Sequence, residues 1–339
     1  MTGSTSNRSS AAPNFPSARA SRVARAAGAF AAIDVDYGPG DELIAALDET
    51  RLTALEIRET RVAGGKPLLP MPVIRTLADL GTGKTTAAAK FCRSVMPTDP
   101  GDFRRPAIIA TLNTSGDQVS VPGAILEALG KPLSPHVRPV DAWRKAHAAL
   151  LDYEVEIVIF DETNNAARRP SIGGVIGGDL MQMLVIGQVG VAFLGTEDTE
   201  ALFARAKALD DRMKSPVVMK ALDWDAFENV GQGDSEQKIY PEREIFVEFL
   251  AAFDDALAER GLIAAKAGLA DDHTAKPLWE VCRGRLRPLW LLLEEAVTSL
   301  HRAGGDLVLN HQVLAQAVES HSIPKKIVGY NPFTEEEPQ

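Results

Sequence analysis

The chain has 339 residues, 45% of them apolar and 24% charged, with a formal net charge of −10; this is the make-up of a globular protein with room for two domains. No apolar run reaches the length of a bilayer span, so no membrane association is expected. The acidic balance argues against a strongly basic, free-standing nucleic-acid binder and leaves only a local basic patch for that role.

Residues 1–27 are rich in Ser, Ala, Arg and Pro and are expected to form a disordered tail. Arg8, Arg19, Arg22 and Arg25 make it basic, either as a solvating tail or as a tether for DNA or an acidic partner. It lacks the apolar core of a secretory signal and has only a superficial likeness to a transit peptide, so a cytoplasmic location is expected. Residues 28–66 read as a helical lead-in, with Leu43, Ile44, Leu47, Leu52 and Leu55 in a helical pattern and a turn at 63–67.

A nucleotide-binding core is expected over 67–223. It opens on Val73 to Leu77, a short β-branched and apolar strand. Ala78-Asp79-Leu80-Gly81-Thr82-Gly83-Lys84-Thr85 follows, then Thr86 and a helix whose Ala88, Phe91, Cys92 and Val95 share one face. Strand, glycine-bearing loop and helix are the context of the phosphate-binding loop G-x-x-x-x-G-K-[ST]. A helix N-terminus offers unpaired N–H donors and partial positive charge, which a phosphate satisfies. Lys84 is placed to reach the β- and γ-phosphates, and Thr85 to put its hydroxyl on Mg²⁺. Ala78 departs from the pattern, standing where the first glycine belongs. If that position needs positive φ, alanine costs about 1 kcal/mol, and more if its Cβ meets the nucleotide, so binding is expected to be weakened and not abolished.

Further strands are expected at 107–112, 155–160, 190–194 and 217–219, with helices between them. The run Val155 to Phe160 ends in Asp161-Glu162, carboxylates at the C-terminal end of a buried parallel strand, where open α/β sheets bind ligands. Asp161 is the candidate Mg²⁺ holder and Glu162 the candidate base for an attacking water. The same pair also occurs in plain turns. Thr196, at the tip of the 190–194 strand, is a candidate to sense the γ-phosphate or simply a helix cap. Cys92 and Cys282 lie in helical patterns, so neither disulfide nor metal site is expected of them. From Trp224 helical patterns dominate, giving an all-helical domain over 224–322, a mobile loop at 230–237 and an acidic tail over 323–339.

In this order, the phosphate loop, the Asp-Glu strand, the Gly195-Thr196 tip, Asp210-Asp211-Arg212 and a helical lid resemble an AAA+ ATPase. That resemblance implies an α/β P-loop NTPase, a three-layer parallel-sheet core with a C-terminal all-helical lid. Leu194-Gly195-Thr196, Asp210-Asp211-Arg212, Leu222-Asp223-Trp224 and Asn331-Pro332-Phe333 make it similar to the TniB/TnsC group of Tn7-like and Tn5053-like transposons. The resemblance implies ATP and Mg²⁺ as cofactors, Thr196 as sensor 1, Arg212 as an arginine finger and Arg285 or Arg287 as sensor 2. Arg212 also reads as a solvated arginine after a helix. Asn164 departs from what related proteins carry after the Asp-Glu pair. The implied function is a homo-oligomer formed with ATP on double-stranded DNA that recruits or activates a DDE transposase of the TniA/TnsB type, with a TniQ-like adaptor as a further partner. Hydrolysis then disassembles it. Arg168 and Arg169, or the loop 113–117, are the candidate DNA contacts. The alternatives are a nucleotide-gated interaction module with little or no hydrolysis, motivated by Ala78, and a signalling ATPase with a helical sensor domain.

Overall fold

The computed structural model describes residues 18–334 apart from 65–70, 113–117, 135, 168–176, 179, 182, 185–187, 206 and 231–236. Five parallel strands form its central sheet: β1 (Val73–Ala78), β2 (Ala107–Thr111), β3 (Ile157–Asp161), β4 (Gly190–Phe193) and β5 (Val217–Met219). Their spatial order is β2-β3-β4-β1-β5. Register is continuous across the middle, with Ile157 to Phe160 opposite Gly190 to Phe193 and Val73 to Arg75 opposite Val191 to Phe193.

Side chains alternate between two apolar layers, as the period of a strand requires. Ile157 and Ile159 face Leu43 and Leu47 of α2 (Gly38–Gly64) and Ala87, Ala88 and Phe91 of α3 (Lys84–Val95). Val158 and Phe160 face the other layer, with α4 (Ser120–Ala128), α5 (Pro139–Asp152) and Phe203. All five residues of β3 are buried, which explains the unbroken apolar sequence from Ile157 to Phe160 before Asp161. α6 (Thr163–Ala167) follows β3, and α7 (Glu200–Arg205) and α8 (Lys207–Asp210) lie between β4 and β5.

The chain divides into two compact units. One holds 36–245 together with 283–287; the other gathers 1–35, 246–282 and 288–339. Two expectations change here. The first helix, α1 (Ala18–Ala31), begins inside the stretch read as a disordered tail. Its Phe30 meets Phe253 and Trp290 edge-on, with ring centroids 5.7 and 4.9 Å apart, and Arg22 Nε donates to the His301 carbonyl at 2.7 Å. An Arg- and Ala-rich segment orders here because its few apolar residues find aromatic partners distant in sequence. The region after Trp224 is also not wholly helical. β6 (Glu228–Val230) and β7 (Gln237–Ile239) pair antiparallel, and Lys238 lies over the Phe227 ring at 4.0 Å. Most of the loop expected at 230–237 lies outside the described residues.

The helical unit contains most of α9 (Pro241–Glu259), α10 (Asp272–Cys282), most of α11 (Leu286–Ala303) and α12 (His311–Ala317). Buried Asp254 on α9 accepts backbone N–H bonds from Ala267, Gly268 and Leu269 at 2.9, 2.8 and 3.2 Å. The C-terminal stretch packs where a tail was expected: Tyr330 Oη donates to Glu280 at 2.8 Å, and buried Asn331 donates to the Ala315 carbonyl at 3.1 Å. Among the described residues no helix is long and apolar enough to cross a membrane.

Candidate nucleotide-binding site

Three adjacent strands, β3, β4 and β1, carry their C-terminal ends and the loops after them to one edge of the sheet. Ala78 is the last residue of β1, in register with Met219. Its N–H donates to the Gly195 carbonyl at 3.1 Å, and its methyl group is buried among apolar side chains. It is not among the residues with positive φ. The feared backbone penalty therefore does not arise, because the position is strand and not turn. The turn is made by Gly81 and Gly83, at φ 85° and 92°, a region alanine resists.

Gly83 caps α3 without any side-chain hydrogen bond, and the first intrahelical bond runs from Ala87 N–H to the Gly83 carbonyl. The N–H groups of Lys84, Thr85 and Thr86 thus lie ahead of the helical ladder, as an anion site requires. Thr82 is fully buried and ties the loop to itself through its hydroxyl, which donates to the Asp79 carbonyl at 3.0 Å. Asp79 accepts from Ala221 N–H at 3.0 Å, and Leu80 is exposed on the turn. Lys84 is 8% exposed.

The decisive distance is between the loop and β3. Thr85 Oγ1 donates to Asp161 Oδ2 at 2.8 Å. Asp161 is buried, and its other oxygen accepts from Glu162 N–H at 2.8 Å. A hydroxyl and a carboxylate side by side at the start of a phosphate-loop helix are hard oxygen donors, the set that suits Mg²⁺ shared with phosphate oxygens. The residues present therefore fit the metal. Glu162 sits at φ 55°, the left-handed region that a side chain occupies at a cost and that concentrates at functional sites.

Thr196 stands just beyond β4. It occupies the cap position of a short 3₁₀ turn, Glu197–Thr199, yet makes no side-chain cap hydrogen bond. The simple cap reading thus loses its support. Sequence reasoning missed Thr76. Its buried hydroxyl accepts from Gly195 N–H at 3.2 Å and so joins the tip of β4 to β1. Arg212 is exposed on the turn after α8, its N–H donating to the Leu209 carbonyl at 3.1 Å. Arg287 N–H donates to the Gly81 carbonyl at 2.9 Å, and Leu286 lies against Gly83. Arg285, two residues earlier, is half-buried. Arg168, Arg169 and 113–117 lie outside the described residues.

Residues 66–221 match the family described as "Bacterial TniB protein". The core is TniB-like. A comparison with curated proteins returns no significant match. Solved structures similar to the chain include the Aeropyrum pernix ORC1 protein in complex with DNA, at TM-score 0.55 and 16% identity, covering 87% of this chain and 69% of that one. The Aeropyrum pernix ORC2 protein in ADPNP–ADP complexes gives TM-score 0.54 and 16% identity, covering 80% and 67%. Identities this low speak to fold: the TniB-like core and its helical region have the P-loop AAA+ architecture with a helical lid.

Proposed function

We propose that the protein is an ATP-hydrolysing regulator of DNA transposition. It assembles with ATP on double-stranded DNA, recruits or activates a DDE transposase, and is released by hydrolysis. The observation that carries the chemical part is the 2.8 Å bond between Thr85 and Asp161, which joins the phosphate loop to the acidic strand end. The transposition part rests on the TniB match and on the motifs at Thr196, Arg212 and Asn331. The DNA-bound state of Aeropyrum pernix ORC1, a protein of the same fold, is consistent with DNA as a partner.

In this reading the N–H groups of Lys84, Thr85 and Thr86 bind the phosphates, with the Lys84 ammonium on the β- and γ-phosphates. Thr85 and Asp161 hold Mg²⁺, which when bound neutralises charge on the phosphate oxygens. Glu162 takes the proton of the attacking water, and Thr196 orients that water or the γ-phosphate. Arg287 is favoured over Arg285 as the lid arginine, because its main chain is already bonded to Gly81. Arg212 serves the neighbouring subunit's γ-phosphate.

The test is phosphate release with and without duplex DNA, beside calorimetric titration of ATP. Wild-type protein is expected to bind and turn over ATP, and Glu162→Gln to bind without turnover. A wild type that binds without turning over in the presence of DNA and transposase would favour the nucleotide-gated module. Ala78 sits in β1 without positive φ, so what still motivates that alternative is the nearness of its methyl group to a bound nucleotide.

A further inference from the structure

Asn164 lies on α6, two residues beyond Glu162, and is 5% exposed. Its Nδ2 donates to Glu162 Oε2 at 3.3 Å. Its Oδ1 is buried with no hydrogen-bond partner among the described residues. An orphaned amide carbonyl in the interior is costly, and an apolar side chain of the same shape would avoid that cost. Packing alone therefore gives no reason for asparagine here.

The surrounding backbone is firmly held. Thr163 is fully buried; its N–H donates to the Leu194 carbonyl and its hydroxyl to the Phe160 carbonyl, both at 3.1 Å. Asn165 N–H donates to the Glu162 carbonyl at 2.9 Å, and Asn165 Nδ2 to the Leu112 carbonyl at 3.3 Å. With Glu162 N–H fixed on Asp161, the main chain from 161 to 165 is pinned to both neighbouring strands. What remains adjustable is the Glu162 side chain, and the amide of Asn164 is what grips it.

We propose that Asn164 is a positioning residue for hydrolysis. Its N–H holds Glu162 Oε2 and thereby presents Oε1 to the attacking water. Asn164 touches neither nucleotide nor metal in this scheme and acts only through Glu162. The inference rests on Glu162 being the base, as proposed above.

Asn164→Leu keeps the branched shape, adds volume and removes the donor; Asn164→Ala removes the donor and leaves space. Both variants are expected to bind ATP with wild-type affinity by calorimetry and to keep KM within about twofold, while kcat falls about ten- to hundredfold, the scale of a misplaced catalytic group. Agreement between two variants of opposite volume change separates loss of the donor from loss of packing, with thermal melting to certify each fold. A wild type that hydrolyses ATP while either folded variant matches its kcat overturns the role. A wild type that binds ATP but releases no phosphate overturns the hydrolytic reading, and this role with it.

Discussion

One methyl group separates Ala78 from the glycine of the usual phosphate loop, and its surroundings decide what that methyl does. In β1 it is part of a buried apolar cluster, in register with Met219. Ala78→Gly is expected to leave ATP affinity within about twofold and to lower stability by about 1 kcal/mol, because glycine weakens a strand interior. Calorimetry and urea unfolding would read the two effects, and a large gain in affinity would show that the methyl obstructs the nucleotide. Cys92, on the helix that follows, behaves as an inert apolar group. Burial pushes its thiol up to about 11 from 9.0. Below pH 9 both folded and unfolded chains keep the proton, so stability does not respond. Between 9 and about 11 the unfolded chain ionises first and stability falls. Comparing wild type with Cys92→Ala across that window isolates the effect, and iodoacetamide is expected to spare Cys92 in native protein near pH 8. The loop and the Asp-Glu pair were readable in the sequence because their chemistry demands fixed spacing. Thr76 was not: it meets Gly195 across 119 residues, and a lone buried hydroxyl leaves no periodic trace. Asn164 stood out in the sequence only as a departure after the Asp-Glu pair, not as the group that holds Glu162.

Among the elements, β1 does more than carry the loop. Its Arg75 is 14% exposed on the side chain and forms ion pairs with Asp210 and Glu200, while the guanidinium lies over the Phe203 ring at 5.3 Å. Asp210 is two residues before Arg212, so this contact fixes the turn that displays Arg212. Arg75→Met is expected to cost about 1–2 kcal/mol, the scale of a partly buried charged hydrogen bond. It should leave ATP affinity unchanged and reduce ATP-dependent assembly, as read by analytical ultracentrifugation. Unchanged assembly would mean that the turn holds itself. The five parallel strands were legible as apolar, β-branched runs. The β6–β7 pair was not, since Glu228, Asn229, Gln237 and Lys238 carry no alternation that faces a core. Nor was α1, whose ordering depends on Phe253 and Trp290 far along the chain.

A net charge of −10 sets the terms for any encounter with DNA. In the proposed role one subunit repels the duplex on average, so the affinity is expected to come from several subunits each adding a few local cations. ATP and duplex together are therefore expected to drive large oligomers that neither produces alone. Log affinity should fall linearly with log salt, at about 0.9 per phosphate neutralised. Light scattering across a salt series tests this, and a chain that remains monomeric with both ligands refutes it. The division of the chain also differs from the one its composition suggests. Helical periodicity begins near Trp224, but the compact core unit runs to 245 and reclaims 283–287. Those five residues include Arg287, whose main-chain N–H is bonded to Gly81. An amide in the opening turn of a helix has no partner within that helix, so the turn of the loop and the start of α11 complete one another. By reciprocity, whatever factor a nucleotide imposes on this clasp, the clasp imposes on the nucleotide. Arg287→Ala spares the amide, whereas Arg287→Pro, in a helical turn that tolerates it, deletes the amide as well. The ratio of their ATP dissociation constants measures how far the grip on phosphate is shared with a peptide group some 200 residues downstream of it.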